Sequence, residues 1–177
     1  PGASQLHLKL IFDKETGKIF GAQAVGKEGV DKRIDVIATA IKGGLTALDL
    51  PDIEIAYAPP YSSAKDPVNM AGYAATNIIE GMVSTVQWHE IDEIVENGGY
   101  LIDVRSPQEV ARGAIKGSVN IPVDELRDRL AEIPTDKDLY LTCQVGMRGY
   151  LATRILEGNG ISVKNLDGGY NLYSKAF

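Results

Sequence analysis

One cysteine occurs in the 177 residues, and it stands where a thiol can do chemistry. Leu139–Thr142 is a short apolar run, Cys143-Gln-Val-Gly146 reads as a loop, and residues 148–158 have the apolar spacing of an amphipathic helix. A thiol between a strand end and a helix start faces converging N–H groups and the positive end of the helix dipole. Both favour an ionised sulfur. Arg148 adds a full positive charge at the same end. A lone cysteine can also be simply a small buried hydrophobe. The order strand, Cys, Gly, Arg, helix favours the reactive reading.

Spacing then selects between two loop chemistries. Four residues separate Cys143 from Arg148. Tyrosine phosphatases place one more residue between their Cys and Arg, wrapping a bowl wide enough for a tetrahedral phosphate gripped from two sides by the guanidinium. The shorter loop suits one extra sulfur atom, and no Asp stands on an obvious neighbouring lid to act as general acid.

Bulk properties narrow the partners. Net charge is −6, the pI is about 4.9, and there is no Lys/Arg run, so neither nucleic acid nor a membrane surface is expected as a partner. With a single cysteine, His7 and His89 cannot complete a Cys/His metal cluster, and no metal is expected. No apolar run approaches the roughly 18 residues of a membrane span. A free thiol predicts a reducing, cytoplasmic setting. The length suits one large domain or two small ones. Entry into a strand a few residues after Pro1 predicts a piece of a longer protein.

The elements that must position Cys143 alternate strand and helix. The pattern predicts a helix over 88–96, strands at 100–104 and 118–122, a helix over 124–133, the strand at 139–142, the helix at 148–158 and a strand at 163–166. Such alternation predicts an α/β domain with a mainly parallel sheet and helices on both faces, its site at the carboxyl ends of the strands. Cys143 falls at such an end. The first half reads as a small α+β domain. Strands are predicted at 6–12, 19–25 and 53–57, with a helix between Gly29 and Gly44 and a helical turn within 45–50. A further helix starts at the Asp66-Pro67 cap and runs to Glu80. No Gly-x-Gly-x-x-Gly fingerprint occurs, so no dinucleotide site is expected in this half. The short join at 81–85 predicts two domains held close together.

Two family resemblances add to this. Tyr57-Ala-Pro-Pro-Tyr61-Ser-Ser-Ala-Lys-Asp66-Pro67-Val-Asn-Met-Ala-Gly72 resembles the C-terminal dimerisation domain of flavin-dependent pyridine nucleotide-disulfide oxidoreductases. It is most similar to the branch of coenzyme A-disulfide reductases and NADH oxidases, and lacks the His-Pro pair of the glutathione reductase branch. The resemblance covers about residues 4–82 and implies a homodimer through residues 1–82 in the full-length enzyme. It implies that Tyr57 reaches the partner's active site to hydrogen-bond a sulfur leaving group; packing at the dimer interface is the alternative. Tyr61, in the same motif, is placed with the substrate-binding residues.

The second resemblance spans residues 85–177. Leu101-Ile-Asp103-Val-Arg105-Ser-Pro-Gln-Glu109, Gly113-Ala-Ile-Lys-Gly117-Ser-Val-Asn-Ile-Pro122, Cys143-Gln-Val-Gly-Met-Arg148-Gly149 and Leu166-Asp-Gly-Gly-Tyr170 are similar, in this order, to a single-domain rhodanese. This implies that Cys143 accepts a sulfane sulfur as a persulfide and passes it to a nucleophile. Backbone N–H groups of Gln144, Val145, Gly146, Met147 and Gly149 would hold the sulfur anion, and Arg148 would orient an anionic donor. Asp103, Arg105 and Glu109 would hold the loops through buried polar pairs. Ala114 departs from the family pattern, which often has His there.

Together the resemblances imply a flavin-dependent coenzyme A-disulfide or persulfide reductase with a C-terminal rhodanese domain. FAD, NAD(P)H and coenzyme A are implied for the full-length enzyme and none for this portion alone, which would retain at most sulfur transfer to and from small-molecule thiols, persulfides or polysulfides. Coenzyme A persulfide would carry sulfur from Cys143 to the flavin site. The alternatives are a coenzyme A-disulfide reductase or NADH oxidase with an idle sulfurtransferase, and a rhodanese fold that only docks a partner.

Overall fold

The computed structural model describes residues 4–59 and 62–176. They form two units that divide between Gly81 and Met82. Among the described residues no helix is long and apolar enough to cross a membrane.

In the first unit, strands β1 (Leu6–Phe12) and β2 (Ile19–Gly26) pair antiparallel as a hairpin. The Asp13 carboxylate closes its turn by accepting the N–H groups of Glu15 and Thr16 at 3.0 and 2.7 Å. Helix α1 (Val30–Gly43) and helix α2 (Pro67–Ile79) complete the unit. Ile19, Ile37, Ala40, Leu50, Val68 and Ala75 form its core. Asp66 has two tasks. Its carboxylate caps α2 through the Val68 N–H at 3.1 Å, and it pairs with the buried Arg33 at 2.7 Å. A buried carboxylate is tolerated only with such partners.

The second unit contains strands β3 (Ser84–Val86), β4 (Tyr100–Asp103), β5 (Val119–Asn120), β6 (Leu139–Thr142) and β7 (Lys164–Leu166). All pairs are parallel, in the order β3-β7-β6-β4-β5. Parallel neighbours need crossovers, here carried by helices α3 (Ile91–Glu96), α4 (Pro107–Val110) and α5 (Met147–Glu157), with α6 (Gly169–Ala176) last. Side-chain alternation along the strands sends Leu101 and Tyr140 into one core and Ile102 and Leu141 into another, so both faces are covered. Strands β4 and β6 are therefore apolar almost throughout, as doubly covered strands must be.

Three predicted elements differ. Residues 124–133 are not an α-helix. Their hydrogen bonds run from residue i+3 back to i, such as Asp128 N to Glu125 O at 3.0 Å and Ile133 N to Leu130 O at 3.2 Å, and only Leu130–Glu132 is a 3-10 helix. Leu126 and Ile133 are nevertheless buried. The segment is tied at its start, where the Val123 N–H donates to Val104 O at 3.1 Å, and Pro134 follows its end, leaving a string of turns between. Among the described residues no strand pairs with 53–57; the segment is held at its start by the Asn69 amide, which donates to the carbonyls of Leu50 and Ile53, each at 3.0 Å. The helical turn expected within 45–50 is a turn closed by Asp49, which accepts the Thr46 N–H at 2.7 Å; a 3-10 helix follows at Leu50–Asp52.

Candidate active site: the Cys143 loop

Strand β6 ends at Thr142, and the next residue, Cys143, is buried. Its Sγ accepts the Gly146 N–H at 3.0 Å. Gly146 has φ +126°, a conformation that L side chains rarely adopt, and nothing would meet a Cβ there. Backbone freedom, not space, therefore requires glycine. Helix α5 starts immediately afterwards, its first bond running from the Tyr150 N–H to Gly146 O at 2.8 Å. The sulfur thus lies beside an N–H donor and the positively polarised start of an eleven-residue helix.

The start of helix α6 fixes this loop from behind. The Tyr170 N–H donates to Cys143 O at 2.8 Å, and the Asn171 N–H to Gln144 O at 2.9 Å. This approach is possible because residue 169 is glycine: a Cβ there would lie 2.5 Å from Cys143 O. Asn165 on β7 supports the start of the helix, its Nδ2 reaching Gly146 O at 3.5 Å and its side chain filling the space a Gly149 Cβ would need.

Two carboxylate–guanidinium pairs flank the loop, and they differ in burial. Asp103 and Arg105 are both almost fully buried. Arg105 donates to Asp103 through Nη2 at 2.7 Å and Nε at 3.0 Å, to Gly113 O at 2.8 Å and to Gln144 Oε1 at 3.2 Å, and lies 4.1 Å from the Tyr170 ring centre. This pair stitches the end of β4 to the Cys143 loop and to the loop before residue 115. Arg148 instead forms a two-point pair with Glu109, Nη1 to Oε2 at 2.7 Å and Nη2 to Oε1 at 2.6 Å. Side chains of this pair keep 32 % and 29 % of their exposure. Glu109 is also the third residue of a capping box, accepting the Ser106 N–H and Oγ–H, both at 3.0 Å. The Arg148 hydrogen bonds hold its carboxyl down at about 2, and the same bonds raise the Arg148 guanidinium.

The structure brings together Cys143, Gln144, Gly146, Arg148, Gly149, Asp103, Arg105 and Glu109. Val145 is on the loop and Met147 opens α5, both with their side chains exposed. Glu109 departs from the expected company of Asp103 and Arg105: its partner is Arg148, because the capping box aims its carboxylate at the start of α5. Tyr57 belongs to the first unit, where it is half exposed on the extended segment after Ile53. Tyr61 lies outside the described residues. Sequence reasoning missed Asn165, Gly169, Tyr170 and Asn171 as loop supports. The Gly168-Gly169-Tyr170 run was the available signal.

Among the described residues no group of three or more His, Cys, Asp or Glu side chains is placed to hold a metal ion.

Residues 87–176 match the family model of the rhodanese-like domain. The chain belongs to the rhodanese-like family. Ahead of the rhodanese-like domain, residues 1–68 match the pyridine nucleotide-disulphide oxidoreductase dimerisation domain. Coenzyme A disulfide reductase of Staphylococcus epidermidis is 52% identical over 75 residues, 42% of this chain and 17% of that protein. Reduced Bacillus anthracis CoADR-RHD is 69% identical with a TM-score of 0.96, covering 98% of this chain and 31% of that one. An NAD-dependent persulfide reductase from A. fulgidus is 40% identical with a TM-score of 0.84, covering 95% of this chain and 30% of that one. The chain thus spans less than a third of each of these relatives.

Proposed function

We propose that this chain is the dimerisation and sulfur-transfer portion of a flavin- and nicotinamide-dependent disulfide or persulfide reductase, with Cys143 as its sulfur carrier. The observation that carries this reading is the Gly146 N–H donating to Cys143 Sγ at 3.0 Å, in a loop closed by Arg148. The ionised Cys143 sulfur attacks the outer sulfur of a sulfane donor. A new S–S bond forms at Cys143 as the donor's own S–S bond breaks, and the electron pair leaves with the donor's thiolate. An acceptor thiolate then attacks the outer sulfur, and Cys143 departs as thiolate. The protein ends each cycle neither oxidised nor reduced. Fixed N–H donors serve the anionic sulfur in both steps without reorganisation.

Coenzyme A persulfide is the proposed carrier between Cys143 and the flavin site, a reading supported by the names of the relatives. FAD and NAD(P)H would supply reducing electrons in the full-length enzyme, a cytoplasmic homodimer joined through residues 1–82. Tyr57 would assist a sulfur leaving group there. Cys143 of the chain treated with a persulfide should gain the mass of one sulfur atom in intact-mass spectrometry, and Cys143→Ser should gain none. Exposure of Val145 and Met147 beside a buried thiol favours a second reading, a domain that docks a partner without transferring sulfur. No adduct from any of several donors would favour that one.

A further inference from the structure

Both guanidinium groups that reach the Cys143 loop are already matched by a carboxylate. Arg105 is spent on Asp103 inside the fold. Arg148 is held by Glu109 through two bonds, and Glu109 is itself held in place by Ser106. The exposed loop side chains, Val145 and Met147, are apolar and uncharged. A dianionic donor such as thiosulfate must therefore meet a cation already neutralised, beside a second negative charge that is fixed there. An organic persulfide, with one charge at its sulfur end and any others remote along its stem, meets half that repulsion and finds apolar contacts.

We infer that Glu109 sets the donor specificity of the loop: by occupying Arg148 it makes Cys143 select organic persulfides, which bring a single charge to the sulfur end of the donor, over the compact dianion thiosulfate. This rests on the sulfur-transfer reading above. Glu109 is a positioning residue, acting through Arg148 and touching no reacting atom. Its charge, rather than its shape, does the selecting. Both donors undergo the same balanced exchange. Thiosulfate releases sulfite as its outer sulfur passes to Cys143, and the persulfide releases its thiolate.

Glu109→Gln separates charge from shape, because glutamine serves equally at the third position of a capping box. The chain is assayed with thiosulfate and with 2-hydroxyethyl persulfide as donors and cyanide as acceptor. Coulomb energy scales with donor charge, so the logarithm of the KM change should be twice as large for the dianion. We expect KM for thiosulfate to fall about tenfold, equivalent to ~1.4 kcal/mol, and KM for the persulfide to fall about threefold. The effect should sit in KM rather than kcat, and the contrast should shrink as salt is added. Ser106→Ala removes the hydroxyl partner and keeps the charge, so it should leave the ratio of the two KM values as in the wild type. Should the glutamine variant fail to fold, Arg148→Ala tests the same point with opposite sign: KM rises for both donors, with the same two-to-one ratio of logarithms. Equal shifts for the two donors, or no shift, overturn the inference while leaving sulfur transfer intact. Absence of a Cys143 adduct in the wild type with both donors overturns the underlying reading, and this inference with it.

Discussion

Asp103→Asn should be among the most damaging single changes available in the second unit. Asp103 has no exposed surface and Arg105 almost none. The carboxylate accepts from Arg105 Nε, Nη2 and backbone N. Asparagine keeps one acceptor oxygen, turns the other into an NH2 donor facing the guanidinium, and leaves that buried charge balanced by no anion, with the Gly113 carbonyl, the Gln144 amide oxygen and the Tyr170 ring as its other partners. Breaking a buried pair from one side costs about 3–5 kcal/mol, most of it the uncompensated charge. A loss of about 4 kcal/mol lowers the midpoint of a domain near 100 residues by roughly 15–30 °C. The chain's one tryptophan, Trp88, packs against the core of this unit, so its fluorescence follows this unit alone. Asp103→Leu with Arg105→Met removes both charges at similar volume and should recover most of the stability. Sulfur transfer should stay impaired in that double variant, because Gln144 has lost its anchor. A single variant that costs under about 1 kcal/mol, or a double variant no more stable than the single, would refute the claim that uncompensated charge is the main cost.

Two smaller predictions concern the loop. Glu109 is held at about 2 in the folded protein against 4.5 unfolded, so both states are ionised above pH 4.5, and the unfolded chain takes up its proton first as pH falls. Its stabilisation is therefore complete above pH 4.5 and vanishes toward pH 2, a screened ~1 kcal/mol that Glu109→Gln should remove from the pH profile of urea unfolding. Gly169→Ala would place a Cβ 2.5 Å from Cys143 O at a backbone φ of +58°. We expect it to displace the Tyr170 N–H from that carbonyl and cut the rate of Cys143 persulfide formation at least tenfold, read by time-resolved mass spectrometry on a folded variant; an unchanged rate would show that the start of α6 does not set the Cys143 loop.

Much of this was legible in the sequence because periodicity and spacing are local properties. The alternation of strands and helices foretold a doubly covered parallel sheet, and the apolar runs at 100–104 and 139–142 are indeed its central strands. What was illegible depended on partners distant in the chain. Residues 124–133 carry helical spacing and bury the expected side chains, but spacing cannot tell bonds to i+3 from bonds to i+4 when both ends are tied. Residues 53–57 have strand composition, but among the described residues no strand lies beside them, and the carbonyl at their start, that of Ile53, is taken by the Asn69 side chain. At the site, the Cys143 loop was visible from its own residues. Its supports were not, since Tyr170 and Asn171 act through backbone N–H groups that any residue except proline could supply.

Burial decides what each ion pair beside Cys143 can do. The Asp103–Arg105 pair, with side chains 0% and 2% exposed, has no route by which a solute could compete for the guanidinium. Its consequence is rigidity, delivered to Gln144 at the start of the loop. The Glu109–Arg148 pair keeps about a third of its side-chain surface in solvent, so an anion at the loop mouth can approach it. There it meets a cation already matched, and a carboxylate that the Ser106 hydrogen bonds hold against being pushed aside. Two pairs of the same chemistry beside one loop thus take different roles. One holds the thiol's loop in shape, and the other, on the sulfur-transfer reading proposed above, sets which donor can bring sulfur to it.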